Sequence, residues 1–517
     1  MTTKRITRTD YDKLLTVTLP ATATAKEILN HLGTLIDAAH AYHDKEGAQA
    51  ALAIAASRDT TTWNSTDRAL LHFFLANAND DLWRNEQTTP AQQWEWTSKH
   101  FDETLLHLRQ ARNEPGFTTL PAAAQCKILT NLGNNLSTIG RYIEAQEQWN
   151  HALTIDPTFP MARANRGYGR YYYAGTLHER GHREAFLHLA HEDLRTSTPH
   201  VADAEAKQAF AAIQAKIEQL APAAYWQKPH TFRTRSLGQT PEEIAYRTWT
   251  LNHRLFLNPI NDLTTESAAA RDNIHTPTML VPLDEPPSYQ GFFNQLKQEY
   301  TTARFLLYQG LDHQAPAWAD KDVMLYNTLD YPAYGTNLEL TKLAYRSCYS
   351  LFDKIAYLIN QYLKLGISEK RVNFKSLWYE KEDPKRALKA TFHRYANLPL
   401  RGLYWISRDL DENNPRHVSP DAAQLSTIRQ HLEHKYLKAH TIDWPLAKGD
   451  PRRDDTLALN IDQHEFEAKA QRLITMTRAA LLYLILAITV EERHRRKGSN
   501  DTLIETELPT YDDEWKT

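Results

Sequence analysis

The sequence predicts an all-α protein in which an array of helical repeats precedes a helical bundle. Only 17 glycines occur in 517 residues, which disfavours a turn-rich β protein. A unit with the spacing of a helix pair occupies residues 126–157, and four long stretches with helical periodicity follow residue 290. A chain of this length exceeds one ordinary core, so two or more domains are expected.

The best-defined repeat is "CKILTNLGNNLSTIGRYIEAQEQWNHALTIDP", residues 126–157. Gly133 stands where two helices must approach closely, Gly140 falls at the turn, and Trp149 lies on the inner face of the second helix, which Pro157 ends. This spacing resembles the tetratricopeptide (TPR) repeat. Further units are expected beside it, because a lone helix pair cannot bury its apolar face.

The next repeat contains two patterns that suggest catalysis. His178, Glu179 and His182 form the H-E-x-x-H pattern of zinc proteases, and Arg183 with His188 forms an R-x4-H pattern. The stretch straddles the turn of the repeat, so the first two histidines would not share a helical face, and no third ligand stands at a zinc-protease spacing. The second pair is expected on the surface of a repeat helix. We predict neither a metal site nor a nuclease site here.

Degenerate repeats are also predicted at residues 25–56 and 91–113, and the array is expected to end near residues 216–227. Such arrays present concave surfaces that bind peptides, proteins or nucleic acid, and a protein or peptide trigger is one candidate ligand here. The predicted domains are TPR-like repeats over 1–227, a proline-rich and partly helical connector over 228–290, a helical bundle over 291–497, and an acidic, flexible tail over 498–517.

Four long helices are predicted in the second half, and together they indicate a bundle. They cover residues 291–311, 341–366, 419–440 and 462–497. Gly366 is predicted to cap the second helix. Ser419 and Pro420 are predicted to begin the third, and Asp462 with Glu465 forms a capping-box pair at the start of the fourth.

Bulk composition limits the cellular setting and the partners. The two cysteines, Cys126 and Cys348, cannot form a disulfide framework, which fits a reducing cytosol and predicts a cytoplasmic protein. The apolar run 479–490 is shorter than the roughly 20 residues of a membrane span and predicts a buried helix. A net charge of −3 leaves nucleic-acid contacts to local patches such as the basic run 493–497, which also suits a helix dipole.

A second R-x4-H pattern lies in "IRQHLEHKYLK", where four residues separate Arg429 from His434. Histidine exchanges protons near neutral pH, and arginine is a permanently charged, planar donor to phosphate oxygens. Residues five apart differ in direction by about 140° around an α-helix. One regular helix therefore cannot easily aim both at one phosphate. We expect either a distorted helix or a second subunit that completes the site.

The motif and its surroundings resemble the HEPN superfamily, helical bundles that include many metal-independent endoribonucleases. Besides the motif, the similarity is carried by "WTLNHRLFLNPINDL" (249–263), "LKQEYTTARFLLYQG" (296–310), "YSLFDKIAYLINQYLKLG" (349–366) and "LYWISRDL" (403–410), and it extends over residues 245–495. These stretches resemble the C-terminal region of a HEPN group found in bacteria behind TPR-like repeats. The resemblance implies catalysis by Arg429 and His434 without a cofactor, in a homodimer or higher oligomer that forms through the bundle and brings the motifs to face each other.

The resemblance also implies polar partners around the motif, although a structural ion pair is an equal alternative for each. The supporting candidates are Asp353, Lys354, Gln430, Glu299 and Arg304. The candidates for contact with the RNA backbone or a base are Lys435, Tyr436 and Lys438, with a core position as the alternative for Tyr436. His431, Glu433 and His434 lack a further carboxylate or histidine cluster, so no metal is expected there.

Two functions remain open at this point. The first is an endoribonuclease of a bacterial toxin or antiphage type, with RNA as substrate and a repeat half that senses a trigger or restrains the nuclease. The alternative is a non-catalytic interaction protein whose bundle dimerises or binds a nucleotide while the repeats recruit a partner. The intact pair of Arg429 and His434 favours the enzyme.

Overall fold

The computed structural model describes residues 6–516 except 88, 90–91, 93–94, 283–284, 313–317, 381–386, 413–420, 442–454, 456, 499–507 and 512. These residues form helices α1 (Arg8–Thr16), α2 (Ala25–Tyr42), α3 (Lys45–Ala56), α4 (Ser65–Glu86), α5 (Lys99–Asn113), α6 (Ala122–Thr138), α7 (Tyr142–Ile155), α8 (Pro160–Thr176), α9 (Arg180–Ser197), α10 (Ala204–Glu218), α11 (Ala223–Trp226), α12 (Pro241–Asn252), α13 (Ile260–Leu263), α14 (Ser288–Gly310), α15 (Thr336–Tyr362), α16 (Ala390–His393), α17 (Leu398–Asp409), α18 (Ala422–His434) and α19 (Gln463–Gly498). Two strands, β1 (Tyr436–His440) and β2 (Ala458–Asp462), pair in parallel. The predicted all-α class is confirmed, apart from this small sheet.

The first half is an array of helix pairs. Helix α2 packs on α3, α4 on α5, α6 on α7 and α8 on α9, and each pair contacts the next. In the predicted repeat, a methyl group at Gly133 would lie only 2.6 Å from the indole nitrogen of Trp149, so the two helices touch where the sequence predicted close approach. Trp149 is 2% exposed and donates to the Asn134 side chain at 3.0 Å.

The H-E-x-x-H pattern and the first R-x4-H pattern lie at the start of α9, as expected. Glu179 is the N-cap of this helix, His178 precedes it, and His182 lies in its first turn. The prediction that His188 decorates the surface is wrong. His188 is buried, with its ring 5.1 Å from that of Trp226, because the chain after α10 folds back over this face, whereas Arg183 is exposed.

The bundle of the second half contains the four predicted helices, with shifted ends. Helix α14 packs along α15, and α19 packs against α14, α15 and α17. Helix α15 ends at Tyr362, and Gly366 adopts a φ of 71° just beyond it. Asp462 accepts a bond from the Glu465 amide at 2.9 Å at the start of α19, as the capping pair predicts.

The third predicted helix, 419–440, is wrong in its C-terminal part. Helix α18 ends at His434, and the chain continues as strand β1. Leu437 pairs with Leu459 and Ala439 with Ile461, so the apolar residues after the motif enter a sheet instead of a helical stripe. The predicted caps Ser419 and Pro420 lie outside the described residues.

A single apolar core runs through both halves of the chain. The buried cluster extends from Ala69 in the repeats to Ile488 in α19. Polar groups cross the same boundary: Asp409 at the end of α17 accepts from Arg109 at 2.6 Å and from Arg141 at 2.7 Å. Each half therefore uses the other as part of its interior. The predicted division into domains at residues 227 and 291 stays a prediction.

Helix α19 forms the centre of this shared core. It is the one helix among the described residues that is long and apolar enough to cross a membrane, and 89% of its most apolar window is buried inside the fold. Residues 479–488 have exposed fractions of at most 4%. The run is thus buried within one chain, as the sequence predicted.

The boundary between the halves predicts a strong effect of replacing Gly140. This residue has a φ of +82°, and an added methyl group would collide with the Leu398 carbonyl at the start of α17. We expect Gly140→Ala to lower the free energy of unfolding by about 1–3 kcal/mol. Gly181 in α9 has nothing within 4 Å of such a methyl group, so Gly181→Ala is expected to raise stability by about 0.4–1 kcal/mol. Equal midpoints in urea denaturation of the two variants would contradict this packing.

Candidate active site

Helix α18 is held against α15 by its apolar side. Leu425 and Ile428 are fully buried, and the Leu425 carbonyl accepts from the Tyr345 hydroxyl at 2.8 Å. Arg429 follows Ile428 directly and therefore lies at the edge of this contact, half-exposed and turned toward α15. The buried residues Leu425 and Ile428 thus position the arginine of the motif.

The Arg429 guanidinium contacts one aromatic ring and one hydrogen-bond acceptor. Its central carbon lies 4.9 Å from the ring centroid of Tyr349, and one of its nitrogens lies 3.4 Å from an oxygen of Asp353. Asp353 also accepts from the Phe374 amide at 3.0 Å, which fixes the carboxylate. Among the described residues, Asp353 is the one hydrogen-bond acceptor of Arg429, so the guanidinium keeps donors for a ligand.

Arg429 lines a cavity of about 280 Å³, close to the lower end of volumes typical of small-molecule sites, about 300 Å³. The lining residues are Tyr349, Phe352, Asp353, Asn373, Phe374, Lys375, Leu410 and Arg429. The wall thus combines two cations, an amide and a carboxylate with apolar and aromatic surface. Such a site can hold a phosphate and an attached sugar or base.

Sequence reasoning missed two groups of this cavity, Tyr349 and Lys375. The Tyr349 hydroxyl is buried and has no hydrogen-bond partner among the described residues. Burial raises the pKa of Tyr349, so the hydroxyl keeps its proton. Lys375 pairs with Glu412, and burial lowers the pKa of Lys375 despite that carboxylate. Lys375 lies outside the long helices, so the helical pattern does not mark it. For Tyr349, only the packing shows that the hydroxyl has no partner among the described residues.

His434 lies at the other end of the motif. It is the last residue of α18, it is exposed, and it is not among the residues that line the cavity. The neighbouring Glu433 forms an ion pair of 3.5 Å with Arg346 of α15. The angular offset expected between Arg429 and His434 is therefore present, and α18 runs as an α-helix through both residues.

The supporting candidates fall into different places. Asp353 contacts Arg429, whereas its neighbour Lys354 pairs with Glu299 of α14 away from the cavity. Arg304 is 3% exposed, and two of its nitrogens each lie 2.8 Å from a different oxygen of Asp272, which ties the connector to α14. Gln430 is exposed. Of this set, the structure brings Asp353 alone to the arginine.

The candidates for RNA contact also differ in exposure. Lys435 is exposed directly after α18, and Tyr436 is 40% exposed. Lys438 is 6% exposed and forms ion pairs with Asp330 at 2.7 Å and Asp455 at 2.9 Å. Burial would lower the pKa of Lys438, but the two carboxylates outweigh it and raise the pKa above its ordinary value. Lys438 is therefore not one of the proposed RNA contacts, because these two carboxylates already neutralise its ammonium group.

Some arginines of the basic run at the end of α19 donate hydrogen bonds to other parts of the chain. Arg493 donates to the Gly175 and Leu177 carbonyls of the repeats, and Arg496 donates to the Thr278 carbonyl of the connector at 3.2 Å. These side chains join three parts of the chain. Their contacts favour a structural role over the nucleic-acid contact that the sequence left open.

Residues 280–491 match a family model, which makes this part of the chain a HEPN-superfamily domain. The particular group is described as LA2681-like HEPN. The match covers α14 to α18, both strands and most of α19. No curated protein and no solved structure matches the chain significantly. Because HEPN domains are commonly RNases, the match supports a nuclease or RNA-related role.

Proposed function

We propose that the protein is a metal-independent endoribonuclease of a bacterial toxin or antiphage type. The observation that carries this proposal is the Arg429 guanidinium, which has donors left for a ligand at a polar cavity of a HEPN domain. A planar cation of this kind pairs with two phosphate oxygens at once. His434 stands at the end of the same helix with an exposed imidazole that can transfer protons.

In the proposed reaction, the ribose 2′-hydroxyl attacks the adjacent phosphorus and the bond to the 5′-oxygen breaks. His434 takes up or delivers a proton, and Arg429 neutralises the charge that builds on the phosphate oxygens. Asp353 and Tyr349 act as positioning residues, since the first holds the guanidinium and the second supports its face. The products are a 2′,3′-cyclic phosphate and a 5′-hydroxyl.

The chemistry of cleavage tests this proposal. Purified protein is expected to cut single-stranded RNA equally well in EDTA and to leave 2′,3′-cyclic phosphate ends. A single 2′-deoxy nucleotide at the cut site should block cleavage there, because the nucleophile is missing. A strict need for added Mg²⁺, or cutting next to the deoxy nucleotide, would contradict the mechanism.

A second subunit is proposed to complete the site. Residues 318–334, here called the apolar segment, expose Trp318 by 90%, Met324 by 89% and Tyr326 by 90%. A β-bridge between Ala333 and Ala439 joins the segment to β1. Because β1 begins two residues after His434, the segment lies near this end of the motif. Covering this surface with a second copy would bring another motif helix toward the first, which fits the facing motifs of HEPN dimers.

Disrupting the apolar segment tests the dimer. Wild-type protein is expected to sediment as a dimer, and Tyr326→Arg should sediment as a monomer with cleavage reduced at least about tenfold, since a buried interface charge without a partner is costly. Leu220→Arg is the control, because Leu220 is 61% exposed on the repeats. Wild-type protein that cuts RNA while it sediments only as a monomer would end this part of the proposal.

The repeat half is proposed to control the nuclease through α17. Asp409 of this helix is held by Arg109 and Arg141 of the repeats, and the next residue, Leu410, lines the cavity of Arg429. A ligand that shifts the repeats would therefore move one wall of the cavity. We propose a protein or peptide as this trigger.

The non-catalytic alternative keeps one specific observation in its favour. His434 does not line the cavity, and the apolar segment offers a surface for a partner. In that case the cavity would bind a nucleotide and the protein would recruit or restrain another protein. Absence of RNA cleavage by a wild-type dimer that still binds nucleotide would favour this alternative.

A further inference from the structure

The H-E-x-x-H stretch gains a neighbour that no sequence spacing indicates. His275 of the connector lies beside it, with its Nε2 only 3.3 Å from Nε2 of His178 and its Nδ1 3.0 Å from a carboxylate oxygen of Glu179. One donor atom of each of these three residues lies within 4.8 Å of the other two. No metal was expected at this stretch because His178 and His182 do not share a helical face and no third ligand stands at a zinc-protease spacing. In the fold, His275 instead of His182 completes a group with His178 and Glu179.

The spacing of the two imidazoles suits a metal ion. Tetrahedral Zn²⁺ with bonds of about 2.0–2.1 Å to histidine nitrogens separates its ligands by about 3.3 Å. The Nε2 atoms of His178 and His275 already stand at this distance. Two histidines and a carboxylate form a common ligand set for Zn²⁺ that leaves a fourth position open.

The hydrogen bonds around the cluster leave two lone pairs facing each other. The Thr489 hydroxyl donates to the Ile485 carbonyl at 2.8 Å, so at His178 it can only accept a proton from Nδ1, 3.4 Å away. His178 Nε2 then carries a lone pair in the neutral ring. Likewise, His275 Nδ1 lies 3.2 Å from the Asn273 carbonyl and can donate to it, which leaves a lone pair on Nε2 of the neutral ring and the Glu179 carboxylate for the cation. A cation between the rings satisfies both atoms.

A third histidine, His182, lies beside the cluster, with its Nδ1 3.8 Å from a Glu179 oxygen. His182 is 5% exposed, and the Asn273 side-chain amide donates to its Nε2 at 3.2 Å, so its Nδ1 carries the proton of the neutral ring. His182 is therefore not one of the proposed ligands.

We propose that His178, Glu179 and His275 bind a divalent transition-metal cation, for which Zn²⁺ is the best chemical fit. The ion fastens the connector to the start of α9, next to α19. The site is separate from the RNA-cutting residues and does not depend on the proposed nuclease activity. It adds a further link between the connector and the repeats, besides the links to the bundle that the connector already makes through Asp272 and Thr278.

Zn²⁺ titration of full-length, untagged protein tests the site. The protein is first stripped with EDTA and dialysed, and calorimetry then measures binding. Wild type is expected to bind one Zn²⁺ per chain and to melt at a higher temperature with Zn²⁺ than without it. His275→Ala and Glu179→Gln should each bind at least about tenfold more weakly and lose the shift in melting temperature. Both side chains are partly exposed, 54% and 31%, so these variants should fold.

The matched control is His464→Ala, because His464 is 80% exposed and pairs with Glu467 in α19. It should bind Zn²⁺ as wild type does. Equal Zn²⁺ binding by wild type and His275→Ala, or no binding by wild type, would overturn the proposal. His275→Ala is also expected to cut RNA in EDTA within about twofold of the wild-type rate, so this test and the nuclease test can fail independently.

Discussion

Replacing His434 by alanine is expected to lower the rate of RNA cleavage by about 100- to 10,000-fold, the usual contribution of a positioned general acid or base. His434 is exposed at the end of α18, and no described residue forms a hydrogen bond or ion pair with it. Its loss should therefore change the free energy of unfolding by less than about 0.5 kcal/mol. The effect would be on the reaction and not on the fold. Cleavage rate and urea denaturation of the same preparation measure the two quantities.

His464→Ala serves as the control here too, since His464 is an exposed histidine of the same domain. His182 and His188 are unsuitable, because both are buried and their replacement would leave cavities. The control should cleave at the wild-type rate. If His434→Ala also cleaves at that rate, His434 is not catalytic, and the assignment of the motif fails whatever the activity of the protein.

The second large effect concerns the boundary between the halves, where Asp409→Ala is expected to cost about 3–5 kcal/mol of unfolding free energy. Asp409 is 2% exposed and accepts from two guanidinium groups, those of the buried Arg141 and the partly buried Arg109. Removing the carboxylate takes this acceptor from both cations and leaves Arg141 with its ion pair to Glu144 at the boundary. The control is Asp12→Ala: Asp12 pairs with Arg8 at 3.0 Å, but both side chains are more than half exposed, so a change below about 0.5 kcal/mol is expected.

The loss caused by Asp409→Ala should shrink in acid. Burial alone would raise the pKa of Asp409, but Arg109 and Arg141 outweigh it and hold the pKa below the ordinary value of 3.8. A carboxyl group with a depressed pKa stabilises the fold fully above its ordinary pKa, and this contribution disappears as the pH falls through the folded-state pKa. Denaturation at pH 7 and near pH 3 measures the difference. A loss at pH 7 no larger than that of Asp12→Ala would show that the ion pairs do not join the halves.

The helices could be predicted from sequence because apolar residues repeat along them with the helical period. The same rule failed after His434. Leu432, Tyr436 and Ala439 fit one helical stripe, but strand β1 gains its partner β2 from residues about twenty positions further on. Pairing across such a distance leaves no local signal. The helix was therefore predicted to run to residue 440, whereas α18 ends at His434.

Part of the candidate site could also be predicted from sequence. Arg429 and Asp353 follow from the motif and from the helical face of α15, and the structure places them together. The Tyr349 hydroxyl is notable only because packing leaves it without a partner, which no sequence pattern records. His275 lies 97 residues from His178, so a metal-ligand pattern read along the chain cannot include it. Contacts that depend on the tertiary fold had to come from the structure.

The nature of RNA ends in cells tests the central claim, that this HEPN domain cuts RNA through Arg429 and His434. The measurement is sequencing of 5′-hydroxyl RNA ends after induced expression of wild type, Arg429→Ala, His434→Ala and the control His464→Ala. The proposed function predicts new ends at discrete sites with wild type and the control, and their loss in both motif variants. The same new ends in cells that express His434→Ala, or none with a wild-type protein that arrests growth, would contradict it.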